Sequence, residues 1–175
     1  MGEWSKVSMI EDTDVFTVKE KRYINEFILG NNFPFYWERS QTIDPPDQKG
    51  FFLHNLIQRD TLNIVSTEAV FFINIVQRFL VKHKLPCKKF FRAALNLTYP
   101  TPGHSVPHID HSFPHYQLIM YLNKTNASTV LLKKGKKFKE FIPQQFKIIC
   151  FPGHYKHYQN YPKTGRRVVG VFTFK

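Results

Sequence analysis

Apolar residues follow different patterns in the two halves of this 175-residue chain. In the first half they recur at helical spacing over residues 17–29 and 66–83, which predicts two helices. Pro86 ends the second helix, because proline cannot continue the backbone hydrogen-bond ladder. Residues 42–50 contain two adjacent prolines and predict an exposed loop. We therefore expect residues 1–90 to be mainly helical support.

After Pro86 the pattern changes to short apolar runs bounded by proline, glycine and asparagine. These runs predict strands at residues 91–98, 117–122, 129–132, 139–142, 146–151 and 167–174. Helices followed by strands without an intervening helix are typical of an α+β protein with an antiparallel sandwich or barrel, such as a jelly roll. The length is that of one domain, so a single domain over residues 1–175 is expected.

Composition excludes several classes of protein. Hydrophobic residues make up 42% of the chain and aromatic residues 16%, which excludes disorder over most of its length. No apolar run is long enough to span a membrane, and residues 1–6 do not resemble a signal peptide. Two cysteines, Cys87 and Cys150, form neither a disulfide framework nor a zinc ribbon. The expected location is cytoplasmic, with no membrane partner.

The formal net charge of +12 is concentrated in residues 131–175, where Glu140 is the one acidic residue. The densest basic cluster is Lys133 to Lys139, which reads as a hairpin turn. A basic face of this kind is compatible with nucleic acid, an anionic membrane surface, acidic small molecules or simply a solvated surface. Charge alone therefore does not identify a partner.

Candidate chemistry centres on His108-Ile109-Asp110. Asp110 is the one acidic residue between Glu68 and Glu140, and six of the eight histidines lie between residues 104 and 157. In a strand, residues i and i+2 point to the same face, so His108 and Asp110 could bind one metal with a third, later ligand. Two histidines and a carboxylate leave open positions on an octahedral ion, as in non-haem Fe(II) oxygenases. An ordinary surface pair is the alternative.

Further motifs follow in order: Tyr121-Leu122-Asn123, Phe151-Pro152-Gly153, His157 and Arg167. With His108-Ile109-Asp110, this series resembles the 2-oxoglutarate and Fe(II)-dependent dioxygenases, particularly their small prolyl-hydroxylase-like branch. The resemblance covers about residues 91–175. It implies an α+β fold whose core is a double-stranded β-helix, a cupin-like jelly roll, with supporting N-terminal helices. One departure is the turn at residues 126–129, where the family usually has Gly before a Thr.

The resemblance also implies a set of site residues. Its three Fe(II) ligands would be His108, Asp110 and His157. Arg167 would pair with the distal carboxylate of 2-oxoglutarate, Tyr121 would donate to the same carboxylate, and Tyr99 would reach into the cosubstrate pocket. His154 and Arg166 are the alternatives to His157 and Arg167, and spacing favours the latter of each pair. His54 and His83 are expected to be structural, while His104, His111 and His115 are expected near the cleft mouth.

The implied activity is hydroxylation of a C–H bond with Fe(II), 2-oxoglutarate and O2. A protein or peptide side chain such as proline is the preferred substrate, and a nucleic-acid base, hydroxylated or oxidatively demethylated, is the second. Two other classes remain: a non-catalytic module that binds nucleic acid through Lys133 to Lys139, and a cupin-like jelly roll with another divalent metal. The sequence indicates no oligomeric state.

Overall fold

The computed structural model describes residues 9–40, 49–59 and 61–175. In chain order these residues form β1 (Ile10–Asp12), α1 (Val18–Tyr23) with a π-helical continuation (Ile24–Ile28), β2 (Tyr36–Glu38), β3 (Phe51–Ile57), α2 (Ala69–Lys82), β4 (Phe90–Thr98), β5 (Tyr116–Tyr121), β6 (Thr129–Lys133), β7 (Lys136–Phe141), β8 (Ile148–Pro152), β9 (Lys156–Gln159) and β10 (Arg167–Phe174). Residues 1–6 and most of the predicted loop at 42–50 lie outside the described residues, so the predictions for them remain predictions.

The strands form two antiparallel sheets. The large sheet has the order β1-β8-β5-β10-β4-β3-β2, and the small sheet has the order β7-β6-β9. Every neighbouring pair is antiparallel, and the strands cross between sheets as in a double-stranded β-helix. The predicted fold class, an α+β jelly roll with N-terminal helices, is confirmed.

Both predicted helices are present, and α1 begins with a capping box in which Thr17 Oγ1 accepts from the Glu20 amide and Glu20 accepts from the Thr17 amide. Four strands were not predicted: β1, β2, β3 and β9. Three of them have only three or four residues, too few for a clear alternation. The expectation that residues 1–90 are helical support is therefore incomplete, because that segment also supplies three strands to the large sheet.

The large sheet buries its two faces in different ways. On one face, Leu95, Leu118 and Phe172 pack with the apolar side of α2, including Phe72 and Phe79, in one core cluster. Because side chains alternate along a strand, the neighbouring positions point to the other face, toward the small sheet. This inner face is where the polar residues lie. No helix among the described residues is long and apolar enough to cross a membrane.

Candidate metal centre

A cavity of about 50 Å³ lies between the inner face of the large sheet and the small sheet. Its polar lining includes Arg92, Asn96, Gln117, Thr129, Gln159 and Arg167, together with the predicted metal ligands. Strand register explains the grouping, since Val169 pairs with Asn96 on one side and Tyr121 on the other, and Thr129 pairs with Gln159. Residues far apart in sequence thus share one enclosed space.

The three predicted metal ligands meet at one end of this cavity. One ligand atom from each of His108, Asp110 and His157 lies within 4.8 Å of the other two. A β-bridge joins the histidines: the His108 amide donates to the His157 carbonyl at 3.0 Å, and the His157 amide donates back at 2.9 Å. The Asp110 Oδ2 atom is 3.5 Å from His157 Nε2. Backbone pairing therefore holds the two imidazoles side by side.

Hydrogen bonds orient both imidazoles for metal binding. His108 Nδ1 donates to the Val106 carbonyl at 2.9 Å, and His157 Nδ1 donates to the Tyr155 carbonyl at 3.3 Å. Because a carbonyl oxygen only accepts, each Nδ1 carries a proton, and Nε2 is the ring atom left for a metal when the imidazole is neutral. Burial, followed by the charge of His157, lowers the pKa of His108 and favours the neutral form that binds metal.

Asp110 is held ionised by its neighbours. Its side chain is 4% exposed, and Oδ1 accepts from Arg59 Nη2 at 2.9 Å and from Arg92 Nη1 at 3.4 Å. Burial alone would raise the pKa of Asp110, but the hydrogen bond and charge of His157, with the charges of Arg92 and His108, hold it well below its ordinary value. Two imidazoles and one carboxylate form a donor set that fits Fe(II).

Arg167 lies at the other end of the cavity, where its guanidinium is buried. Its Nη2 donates to Thr129 Oγ1 at 3.1 Å, Nε donates to the Ala127 carbonyl at 3.2 Å, and Nη1 donates to Gln159 Oε1. Among the described residues, no carboxylate pairs with Arg167, and burial lowers the pKa of its guanidinium. An unneutralised cation in an enclosed space suits an anionic ligand.

The fold of this chain is similar to that of solved structures. No protein-family model matches the chain, and no curated protein matches it. Solved structures do match, and one is an oxidoreductase of the 2OG-Fe(II) oxygenase family from Burkholderia pseudomallei, with a TM-score of 0.77 at 12% identity over 99% of this chain and 87% of that one. The chain has the 2OG-Fe(II) oxygenase fold.

Two prolyl hydroxylases share this 2OG-Fe(II) oxygenase fold with the chain. A prolyl-4-hydroxylase from Pseudomonas putida matches with a TM-score of 0.62 at 11% identity, over 99% of this chain and 95% of that one. A prolyl hydroxylase from Trichoplax adhaerens, in complex with a hypoxia inducible factor peptide fragment, matches with a TM-score of 0.65 at 12% identity, over 98% and 85%. At these identities the likeness establishes the fold.

The two predicted tyrosines differ in their relation to the cavity of this 2OG-Fe(II) oxygenase fold. Tyr121 is fully buried behind the lining, and its hydroxyl donates to Thr129 Oγ1 at 2.7 Å, beside the Arg167 guanidinium. It therefore acts on the cavity through Thr129. Tyr99 is 50% exposed, packs edge-on against Phe52 and does not line the cavity.

Geometry distinguishes between the paired alternatives. The Arg166 guanidinium donates to the Leu29 carbonyl, outside the cavity, whereas Arg167 lines it. His154 is exposed and packs against Tyr155, whereas His157 lies with the other two ligands. The backbone alternation of β10 sends adjacent arginines in opposite directions.

The remaining histidines fall into two groups. His54 bonds to the Pro34 carbonyl and Ser66, and His83 bonds to Asp12, so both have structural partners in the helical half. Nearer the metal end, His111 bonds to Thr173 Oγ1 at 2.8 Å, and its ring lies 4.8 Å from that of His115. Burial, with the charges of His115 and Arg59, lowers the pKa of His111 to about 4.

Sequence reasoning missed several polar residues of the cavity. Arg92 and Asn96 lie on β4 at positions of the same parity, and Gln117 interrupts the apolar run of β5. Polar residues spaced by an even number within an otherwise apolar strand are the signal that could have revealed them. Arg59 gave no such signal, because it lies on a turn after β3.

Proposed function

We propose that this protein is a 2-oxoglutarate- and O2-dependent Fe(II) dioxygenase that hydroxylates a C–H bond of a protein or peptide side chain, such as proline. The observation that carries the proposal is the donor set His108, Asp110 and His157 in the same cavity as Arg167, a buried cation without a carboxylate partner among the described residues. Neither feature alone distinguishes an oxygenase from another metal-binding jelly roll. Together they accommodate both a metal and a dicarboxylate.

In this proposal, each group of residues has a separate task. His108, Asp110 and His157 hold Fe(II), which supplies the activation of O2, with 2-oxoglutarate as the two-electron reductant that yields succinate and CO2. Arg167 binds the distal carboxylate of 2-oxoglutarate. Thr129 orients that guanidinium, since its Oγ1 accepts from Arg167 at 3.1 Å.

A second set of contacts supports this clamp. Gln159 accepts from Arg167 Nη1, and Tyr121 donates to Thr129, so Tyr121 acts on the cosubstrate through Thr129. The enclosing sheets keep bulk water from the buried guanidinium, which strengthens its attraction for a carboxylate. No nucleophile or general base from the protein is required. Tyr99 has no role in this account.

The choice of a peptide substrate is supported by the structural neighbours, two of which are prolyl hydroxylases, one of them bound to a peptide fragment. In a cupin-like protein that binds another metal without 2-oxoglutarate, the buried Arg167 would have no anionic ligand to bind. A non-catalytic nucleic-acid module has no use for the buried donor set. A cytoplasmic location and a single domain stay predictions from the sequence.

The test is spectroscopic first and enzymatic second. Under anaerobic conditions, Fe(II) and 2-oxoglutarate are expected to give a visible charge-transfer band with the wild-type protein. Asp110→Ala should abolish the band, because it removes a ligand, while Asp14→Ala, which changes an exposed carboxylate, should retain it. Succinate release is then measured in air against a panel of proline peptides. A wild-type protein with neither band nor succinate would refute the proposal.

A further inference from the structure

Two arginines converge on one oxygen of the metal-ligand carboxylate. Arg59, on the turn after β3, and Arg92, on β4, both donate to Asp110 Oδ1, while Oδ2 faces His157. Arg92 lines the cavity, and Arg59 reaches Asp110 from the turn after β3. Among the described residues, Asp110 is the one carboxylate that pairs with these two guanidiniums, which leaves an excess of positive charge before any metal binds.

Most of the hydrogen-bonding capacity of these two arginines is unused by the residues that the structure describes. A guanidinium has five N–H donors. Within the described ranges, Arg59 makes one hydrogen bond, and 33% of its side chain is exposed. Arg92 makes one long bond of 3.4 Å there, although only 13% of its side chain is exposed. By contrast, Arg167 uses three donors on neutral partners.

The net charge also differs between the two ends of the cavity, an argument that rests on the proposed function. Among the described residues, Arg59, Arg92 and Arg167 against Asp110 leave two positive charges in excess. A divalent metal adds two more, and 2-oxoglutarate removes two, one of them at Arg167. Two positive charges therefore remain at the metal end. Glu38 acts on Arg92 only weakly, as the last of its charged neighbours, and is exposed. A partly buried charge is costly unless an opposite charge meets it.

We propose that Arg59 and Arg92 form an anion-binding pair that selects an acidic peptide, with a carboxylate close to the C–H bond that is oxidised. The planar donor fork of arginine matches a carboxylate in a bidentate pair, which suits an Asp or Glu side chain. Arg59, the more exposed of the two, is the first contact. Arg92 also positions Asp110, leaving Oδ2 for the metal.

The experiment uses the full chain loaded with Mn²⁺ in place of iron and with 2-oxoglutarate, so that peptide is bound and not consumed. Two fluorescein-labelled proline peptides differ at one residue beside the proline, Asp in one and Asn in the other. Fluorescence anisotropy is expected to show at least tenfold tighter binding of the Asp peptide to wild-type protein. Arg59→Gln should reduce that preference below threefold, and Arg59→Lys should keep an intermediate preference.

A matched control separates this pair from the overall positive charge. Lys134→Gln removes one charge from an exposed lysine on the β6–β7 turn and should leave the preference unchanged. Thermal unfolding verifies that each variant is folded. An equal loss of preference in Lys134→Gln would overturn the inference. So would an oligothymidylate that binds more tightly than the Asp peptide in an Arg59-dependent way, which would indicate nucleic acid instead.

The two proposals fail in different ways. If Mn²⁺ and 2-oxoglutarate do not bind, the proposed function fails, and this inference fails with it. If both bind and the Asp peptide is not preferred, including the case in which neither peptide binds, this inference alone is overturned. Binding is read without turnover, so an inactive metal does not affect the outcome.

Discussion

The two ends of the cavity are built from different kinds of structure. At the metal end, His108 and Asp110 lie in the segment between β4 and β5, which is tied to β9 and the residue after it by two β-bridges, His108 with His157 and His104 with Asn160. At the other end, Arg167 begins the central strand β10, and Thr129 and Gln159 face it from the small sheet. One end is a loop held against a strand. The other is part of the sheets themselves.

The two ends of the cavity also differ in the partners of their hydrogen bonds. Arg167 is surrounded by neutral acceptors, which hold its direction without cancelling its charge. The metal end instead pairs opposite charges: Asp110 Oδ1 accepts from Arg59 and Arg92, and Asp110 Oδ2 faces His157 Nε2. The comparison teaches that a buried cation can be oriented by neutral groups, whereas a metal site needs charged partners to hold its carboxylate ionised.

The largest effect is expected from Asp110→Asn, which removes the one carboxylate that the described residues place among the metal ligands. Metal affinity should fall by about 100-fold or more, as the loss of an outer-shell partner alone costs up to about that much. Apo-protein stability should fall by on the order of 3 kcal/mol, because Arg92 and Arg59 lose their counter-charge. Isothermal titration with Mn²⁺ and urea unfolding measure the two effects. Asp14→Asn, an exposed change, should alter neither.

Arg167→Met should weaken cosubstrate binding at one end of the cavity and leave metal binding at the other end unchanged. We expect 2-oxoglutarate affinity to fall by about 100-fold, through loss of a charge-assisted contact, while Mn²⁺ affinity stays within about twofold. Stability should change by no more than about 1 kcal/mol, since no buried carboxylate is left unpaired. Titration of the metal-loaded protein with 2-oxoglutarate tests this. Arg166→Met is the matched control, and equal effects of the two variants would contradict the assignment.

Thr129→Val tests the neutral support of Arg167. Thr129 Oγ1 accepts from both Tyr121 and Arg167, so valine leaves two buried donors without that acceptor. A loss of about 1–3 kcal/mol in the free energy of unfolding is expected. Adding Tyr121→Phe in the same protein should recover part of the loss, because it removes one orphaned donor. If the double variant is less stable than Thr129→Val by the full cost of Tyr121→Phe, the coupling is absent.

The smallest expected effect is a pH dependence of the free energy of unfolding, and it arises from histidines near the metal end. Burial is the first cause that lowers the pKa values of His108, His111 and His115 in the folded protein, that of His111 to about 4. The unfolded chain therefore binds more protons just below pH 6.5, and stability falls as the pH decreases through that range. Between pH 7 and 5, the apo protein should lose on the order of 1 kcal/mol, allowing for solvent screening at the partly exposed His111.

Urea unfolding midpoints at the two pH values measure this loss. Arg167→Met should show the same pH dependence as wild type, whereas His111→Asn should reduce it. An equal reduction in both variants would show that the titrating groups are not confined to the metal end.

Much of the fold and part of the candidate site could be predicted from the sequence. Apolar runs bounded by proline, glycine and asparagine predicted the long strands of the second half, and the motif residues His108, Asp110, His157 and Arg167 do meet in one cavity. The short strands β1, β2 and β9 were not predicted, because three or four residues give no periodicity. The seven-residue strand β3 was not predicted either, although it is buried along most of its length.

Other features could not be predicted because they depend on long-range packing. Arg59 and Asp110 are 51 residues apart, and nothing in either local sequence indicates the pair. Tyr99 was expected in the cavity, but it packs at the edge of an aromatic group that includes Phe52. The contact of Tyr121 with the cosubstrate stays a prediction, and the hydrogen bond from its hydroxyl to Thr129 is one that only packing determines.

The position of β10 has a consequence for how the chain acquires its structure. This strand lies between β4 and β5 in the middle of the large sheet, yet it follows the other nine strands that the described residues form. During synthesis, β4 and β5 therefore wait with unpaired edges until residues 167–174 have emerged, a non-local pairing that slows folding. A chain interrupted before residue 167 would lack the cosubstrate clamp and would also expose two long strand edges that promote aggregation.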